Sequence, residues 1–344
     1  MKSKLLLMLS LATASFVAQA QDKPADPPLT ISGSVDTYYK YDFSGHNNIP
    51  TSFASDHNSF SIGMVDLAFK KKVGKASFVG EVTFGPRNDQ SIPVPSNHIQ
   101  NLYVGYDLTD KLSVTAGYMG TFVGYEVIAP SGNFNYSTSY LFTNGPFQNA
   151  GVKFTYAFSD KVSLTAGLYN DLWNVYTAAS KINTFGAQLM VSPVKGWTAY
   201  LNVLTGPASG TELDLTTTYQ ITEAFKLGLN AADFQAPKAG AGVKVGGFTG
   251  VAIYPQVAVS SAVTLGLRGE YFKTKTGAYS SLSAPTPGNS VTGLTFTANI
   301  KGGPLTFIPE VRLDNMSKND MFTDSKGAFT KSASQFALAA VYAF

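Results

Sequence analysis

Apolar and polar residues alternate one for one in segment after segment of this chain. Its last eleven residues, Ser334 to Phe344, read SQFALAAVYAF. Phe336, Leu338, Ala340, Tyr342 and Phe344 fall on one face of an extended chain, and Gln335, Ala337, Ala339, Val341 and Ala343 fall on the other. A period of two marks a strand whose faces meet different surroundings. The same parity sorts residue types upstream. Leu294, Phe296, Ala298 and Ile300 alternate with Thr295, Thr297 and Asn299. Leu305, Phe307, Pro309, Val311 and Leu313 alternate with Thr306, Ile308, Glu310, Arg312 and Asp314. Over 263–272 the second parity carries Thr264, Gly266, Arg268, Glu270 and Phe272. Charges gather on one face and aliphatic side chains on the other.

Between these strands the connections come in two kinds. Short turns stand at Lys71–Lys75, Asp107–Lys111, Phe158–Lys161, Ser192–Gly196, Ile221–Ala224, Ser260–Ala262 and Lys301–Pro304, where Asp, Gly, Pro and Ser supply turn geometry. Two of them lead into nearly identical strands, KLSVTAGY and KVSLTAGL. Longer polar loops are expected at 44–58, 85–97, 120–149, 170–182, 205–211, 233–243, 273–290 and 315–333. Seven turns and eight loops in strict alternation require about sixteen strands. A soluble sandwich would show the same periodicity with apolar residues inward. The strand count without a domain break, and the strict alternation of turn length, favour instead an all-β transmembrane antiparallel up-and-down barrel, with short periplasmic turns and long extracellular loops. Strand boundaries read from sequence shift by about two to four residues, which leaves fourteen or eighteen strands as alternatives. Pro255 and Pro309 fall inside predicted strands, where each removes a ladder donor, so bulges are expected there.

The start of the chain supplies an address. Lys2 and Lys4 precede the apolar run Leu5 to Leu11, and Ala18-Gln19-Ala20 follows. That order reads as a signal peptide over 1–20, a short leader over 21–28 and a single barrel domain over 29–344. The apolar run is too short for the roughly 20 residues of a spanning helix. An ending on an aromatic strand is also expected of a barrel whose last strand pairs with its first. Composition agrees. Cysteine is absent, charged residues are only 14%, and Tyr and Phe number 18 and 24. No disulfide, thiolate metal site or cysteine nucleophile is available. A mean hydropathy of +0.03 fits strands with one wet and one apolar face. Without the signal segment the balance is 23 basic against 22 acidic residues, which excludes bulk attraction of nucleic acid.

One stretch carries a family resemblance. Thr121 to Tyr156 contains G-Y-E at 124–126, N-x-N-Y-S at 133–137, Gly145-Pro146-Phe147, and Gly151, Lys153 and Tyr156 in the spacing G-x-K-x-x-Y. These residues, with VDTYYKYDF from Val35 to Phe43, resemble the porin-like β-barrel proteins of family two. The resemblance implies an outer-membrane barrel and leaves its solute open.

A barrel of about sixteen strands is wide enough to hold an aqueous channel. Passive diffusion of small hydrophilic solutes or ions is therefore the leading expectation, with outer-membrane lipid as the other partner. A homo-oligomer is compatible with the pattern, and no cofactor or metal is expected. The third loop, 120–149, is the longest, and the resemblance to porin-like barrels implies that it folds into the lumen and narrows it. Glu126 is its only acidic residue. Facing wall cations, it would set up a charge filter. Candidate cations are Arg268 and Arg312, two of three arginines in the chain, with Lys153 and Lys226. Glu270 and Glu310 complete the candidate constriction, or else pair with Arg268 and Arg312 as plain wall salt bridges. As a solvated loop carboxylate, Glu126 is expected to matter for ion preference and little for stability.

Other chemistries have less support. His46, His57 and His98 lack a G-x-S-x-G, an H-E-x-x-H or a compact carboxylate cluster, so they read as loop histidines. A weak metal site at His46, His57 and Asp56 has poor spacing. The competing view is a barrel plugged by its third loop, serving adhesion or envelope structure. On the lipid face Phe296→Arg is expected to be harmful, and its neighbour Thr297→Arg to be tolerated.

Overall fold

Alternation becomes strand throughout the computed structural model, which describes residues 26–92, 96, 98–279 and 283–344. The expected signal segment 1–20 and the leader up to residue 25 lie outside the described residues. Strands β1 (Thr30–Asp42), β2 (Ser59–Val73), β3 (Ala76–Phe84), β4 (Ile99–Asp107), β5 (Leu112–Gly120) and β6 (Gln148–Ser159) form one stretch of wall. The wall continues through β7 (Val162–Asn170), β8 (Ile182–Val191), β9 (Trp197–Gly206), β10 (Gly210–Gln220), β11 (Phe225–Gln235) and β12 (Gly247–Ala258). It ends with β13 (Val263–Thr274), β14 (Ser290–Gly302) and β15 (Leu305–Met316), then β18 (Ser332–Ala343) after a small hairpin, β16 (Phe322–Thr323) and β17 (Phe329–Thr330). Each long strand pairs antiparallel with its neighbour in sequence, and β18 closes on β1. The result is a closed barrel of sixteen strands. Closure continues to the last residue, where the Gly33 and Phe344 main chains exchange two bonds of 3.0 Å. A barrel without edges leaves no wall donor or acceptor facing lipid.

The faces fall as the alternation dictates. Phe296, Val311, Leu313 and Leu338 are exposed on the outside, while Arg268, Glu270, Glu310, Arg312 and Gln335 are buried inside. Exposed aromatics mark both rims. Tyr41, Phe43 and Phe60 stand at the loop end, and Tyr106, Tyr156, Phe158, Trp197 and Tyr342 stand at the turn end. Such belts suit membrane interfaces, since each ring pairs an apolar body with a polar tip or edge.

Two expectations change. Residues 205–211 are not a long loop. Gly206 pairs with Gly210 and Thr205 with Thr211, leaving only 207–209 to turn the chain. The run of small residues there turns a tight hairpin, with Gly210 at φ 77°. The prolines make no bulge either. The β12–β13 ladder skips Pro255 between the Ile253–Gly269 and Gln256–Gly266 pairs and resumes in the same register. The β14–β15 ladder skips Pro309 in the same way, between Thr297–Glu310 and Ile300–Phe307. Each missing donor is absorbed by a skipped pair. Register shifts occur elsewhere, at Val35/Thr37, Glu81/Val82, Ala157/Ser159 and Tyr169/Asn170. Opposite the first of these, the Asp36 carboxylate accepts the Met64 N–H at 2.8 Å.

Candidate functional site

The third loop runs over 121–147, between β5 and β6, and its neck is closed by the Thr121 N–H donating to the Phe147 carbonyl at 3.0 Å. Inside that neck the chain makes a short 3-10 turn at Pro130–Gly132 and one helical turn, α2 (Tyr140–Asn144), which follows α1 (Pro86–Ser91) of the second loop. Ser139 starts α2 by accepting the Phe142 N–H at 3.0 Å, as N-cap residues do. Loop main chain away from water must find partners elsewhere. Here the barrel wall supplies them.

Four inward residues on β13 and β15 hold the loop main chain. Glu270 accepts the Tyr140 and Leu141 N–H groups at 2.9 and 2.8 Å, taking two donors that α2 leaves open. Glu310 accepts those of Tyr136 and Ser137 at 3.0 and 3.2 Å. Arg268 donates to the Ser137 carbonyl at 2.5 Å and Arg312 to the Thr138 carbonyl at 2.8 Å. Carboxylates thus take loop donors, and guanidinium groups take loop acceptors. From the opposite side Arg87 donates to the Ile128 and Tyr136 carbonyls at 2.8 and 3.2 Å. Its guanidinium also lies 4.4 Å from the Phe53 ring centre and 5.0 Å from that of Tyr136.

Side chains complete the dock. Glu126 and Arg268 form a direct ion pair of 2.9 Å with both side chains almost wholly buried, at 5% and 1% exposure. The second Glu126 oxygen accepts the Ser139 N–H at 2.8 Å. Arg312 instead grips Asp314, with its Nε and Nη2 both 2.9 Å from carboxylate oxygens. Tyr136 donates to Asp36 at 2.6 Å and Tyr140 to Asp314 at 2.8 Å. Burial, then the charge of Asp314, pushes the Tyr140 phenol well above its ordinary range, so it stays a donor. Four wall glycines receive loop side chains. A methyl group on Gly186, Gly228, Gly250 or Gly266 would come within 2.2 to 2.8 Å of Phe122, Tyr125, Leu141 or Phe134 respectively.

The candidate residues therefore divide. Glu126, Arg268, Glu270, Glu310 and Arg312 come together where the loop meets β13 and β15. Neither expected wall bridge, Arg268–Glu270 or Arg312–Glu310, is among the ion pairs of the described residues. Glu126 and Asp314 take the arginines, because Glu270 and Glu310 are turned to loop N–H groups. Glu126 is also not solvated, and this corrects the expectation that it matters little for stability. Lys153 stands apart on β6, and Lys226 lines a chamber of about 790 Å3 beneath the loop. That chamber opens between the loop and the turn-side ends of the strands, with Tyr125, Phe134, Tyr200, Gln256, Asn299 and Lys301 on its walls.

Sequence reasoning missed Arg87, Asp36 and Asp314. Arg87 carried a signal, as the third of three arginines in a chain that uses them sparingly. The histidines are engaged separately. His46 Nε2 lies 2.8 Å from Thr323 Oγ1, His57 Nδ1 accepts the Asp42 N–H at 3.0 Å, and His98 Nδ1 lies 3.0 Å from the Thr83 carbonyl.

A family model described as "Putative beta-barrel porin-2, OmpL-like" matches residues 28–344. The chain belongs to this porin-2 family. No protein of curated function matches the sequence. Solved structures share the fold of this porin-2 chain at low identity. An anion-selective porin from Comamonas acidovorans is 12% identical with a TM-score of 0.64, over 92% of this chain and 99% of its own. The trimer form of OmpT from Vibrio cholerae is 13% identical with a TM-score of 0.59, over 92% and 99%. Salmonella typhi OmpF in complex with daunomycin is 12% identical with a TM-score of 0.58, over 92% and 97%. At these identities the likeness is one of fold.

Proposed function

We propose that this porin-2 barrel is an outer-membrane channel for passive diffusion of small hydrophilic solutes or ions, exported by its first twenty residues and narrowed by its third loop. One observation carries this reading: the charged anchors of the loop lie on one wall of the barrel, β13 and β15, and the wall across from it presents a run of inward glycines. On β4 to β8 the inward positions include Gly105, Gly117, Gly151, Gly167 and Gly186, which pair as Gly117–Gly151 and Gly167–Gly186. Tyr169 lies along Gly151 and Gly186, and Phe122 at the start of the loop packs beside it. A sixteen-strand barrel filled mainly from one side keeps width on the other. Lys153 is the cation on that thin wall, opposite Gly167, and makes no ion pair among the described residues.

Purified protein in planar bilayers is expected to give stepwise conductance. A membrane that stays silent with folded protein inserted would favour the plugged barrel with an adhesive or structural role. The charge on the route is tested by Lys153→Glu. In a salt gradient this variant is expected to shift the reversal potential toward cations, whereas Lys195→Glu, at an exposed turn, leaves it in place. Identical potentials for both would remove Lys153 from the route.

A further inference from the structure

The charge run Lys70-Lys71-Lys72-Val73-Gly74-Lys75 has no part in the loop dock. It forms the end of β2 and the turn into β3, with four lysines in six residues and no acid among them. Strand parity sends these cations to different places. Lys72 pairs with Asp107 at 2.5 Å. Lys71 faces outward, opposite Phe78 in the ladder, and Lys75 is exposed at the tip of the turn. Neither makes an ion pair among the described residues.

Beside Lys71 the barrel exterior carries a groove of about 520 Å3. Two rows of outward residues form it. One row is Lys71, Phe78, Val104 and Ala116; the next, nearer the turns, is Val73, Ala76, Tyr106 and Val114. Phe78, Val104 and Tyr106 project, being 40%, 61% and 49% exposed, while Ala76 and Ala116 leave the floor low. The groove is therefore an apolar trench with unpaired Lys71 in its wall and unpaired Lys75 at the turn beyond its rim.

We infer that this trench is a site for one anionic phospholipid of the turn-side leaflet, an acyl chain lying between Phe78 and Tyr106 and the phosphate held by Lys71 and Lys75. Charge complementarity decides the occupant. An apolar face of a second copy would bring nothing to neutralise the two lysines, and a zwitterionic lipid would cancel its own phosphate. A net negative headgroup meets both requirements, each cationic side chain adding to its hold at the membrane surface. The inference concerns the barrel exterior and does not depend on whether the lumen conducts.

The test is native mass spectrometry of the full-length folded protein released from mixed micelles of phosphatidylglycerol and phosphatidylethanolamine. Wild type is expected to retain one lipid with a preference of about 30-fold for phosphatidylglycerol, the size that two lysines give. Lys71→Gln with Lys75→Gln is expected to abolish the preference. Ala116→Trp, which fills the floor, is expected to abolish retention while heat-modifiable mobility shows a folded barrel. Equal retention of the two lipids by wild type, or a preference untouched by the lysine changes, would overturn the site. So would an Ala116→Trp protein that keeps its lipid but loses an oligomer, since the trench would then belong to a second copy. Should Ala116→Trp fail to fold, Ala76→Leu gives the same reading with less bulk.

Discussion

Replacing Arg268 by Gln is expected to free the third loop from the wall and to cost about 3–5 kcal/mol of its docking, the range for breaking a buried ion pair from one side. The size follows from what stays behind. Glu126 would remain buried as a carboxylate without its cation, and the Ser137 carbonyl would lose a donor at 2.5 Å. Single-channel conductance is expected to rise and become noisier, because a loop no longer bound to β13 samples the lumen. Glu126→Gln should weaken docking by a comparable amount, leaving a guanidinium uncompensated. Both changes together should cost clearly less than their sum, as coupled partners do. Strict additivity, or an Arg268→Gln channel with wild-type conductance and melting, would mean that the pair is incidental to the dock.

The second large effect belongs to the outer face. Phe296 sits midway along β14, half exposed and opposite Val311 and Leu267. An arginine there would stand in the hydrocarbon, at a cost of roughly 2–4 kcal/mol at the midplane. Folding yield into bilayers is expected to drop sharply for Phe296→Arg. Its inward neighbour is not the control that alternation alone recommends. Thr297 is 4% exposed, donates to Glu310 at 2.9 Å and accepts from Asn135 at 2.7 Å. Thr297→Arg would evict part of the loop dock, which corrects the expectation that it is tolerated. Thr264 faces the chamber instead. Thr264→Arg is expected to fold at close to wild-type yield, and equal loss at 264 and 296 would invert the assignment of faces.

These corrections show what a single sequence reveals here. The barrel was legible because lipid and lumen impose opposite preferences on successive residues, so Phe296 and Thr297 announce their faces independently of any contact. The closed sixteen-strand order follows from alternating connections, which survive even where 207–209 proves to be a tight turn. The dock was legible only in part. Glu126 and Arg268 could be matched by charge, since opposite charges in a charge-poor chain attract notice. Glu270 and Glu310 bond main-chain N–H groups, and main chain leaves no mark in a sequence. Asp314 outcompetes Glu310 for Arg312 because Glu310 is occupied by Tyr136, Ser137 and Thr297, a fact of geometry rather than spacing.

The anchors of the third loop also order events in time. Its partners on β13 and β15 lie 129 to 174 residues further along the chain. None of those bonds can form before β13 and β15 have joined the wall. Contacts this distant in sequence form late, after the local hairpins have zipped. While β1 to β12 assemble, the loop can meet Asp36, Arg87 and Asp214 but lacks the charged anchors of β13 and β15 that fix its main chain. A barrel closed before these anchors engage would be leakier than the finished one, and its last step would be an internal docking rather than an insertion.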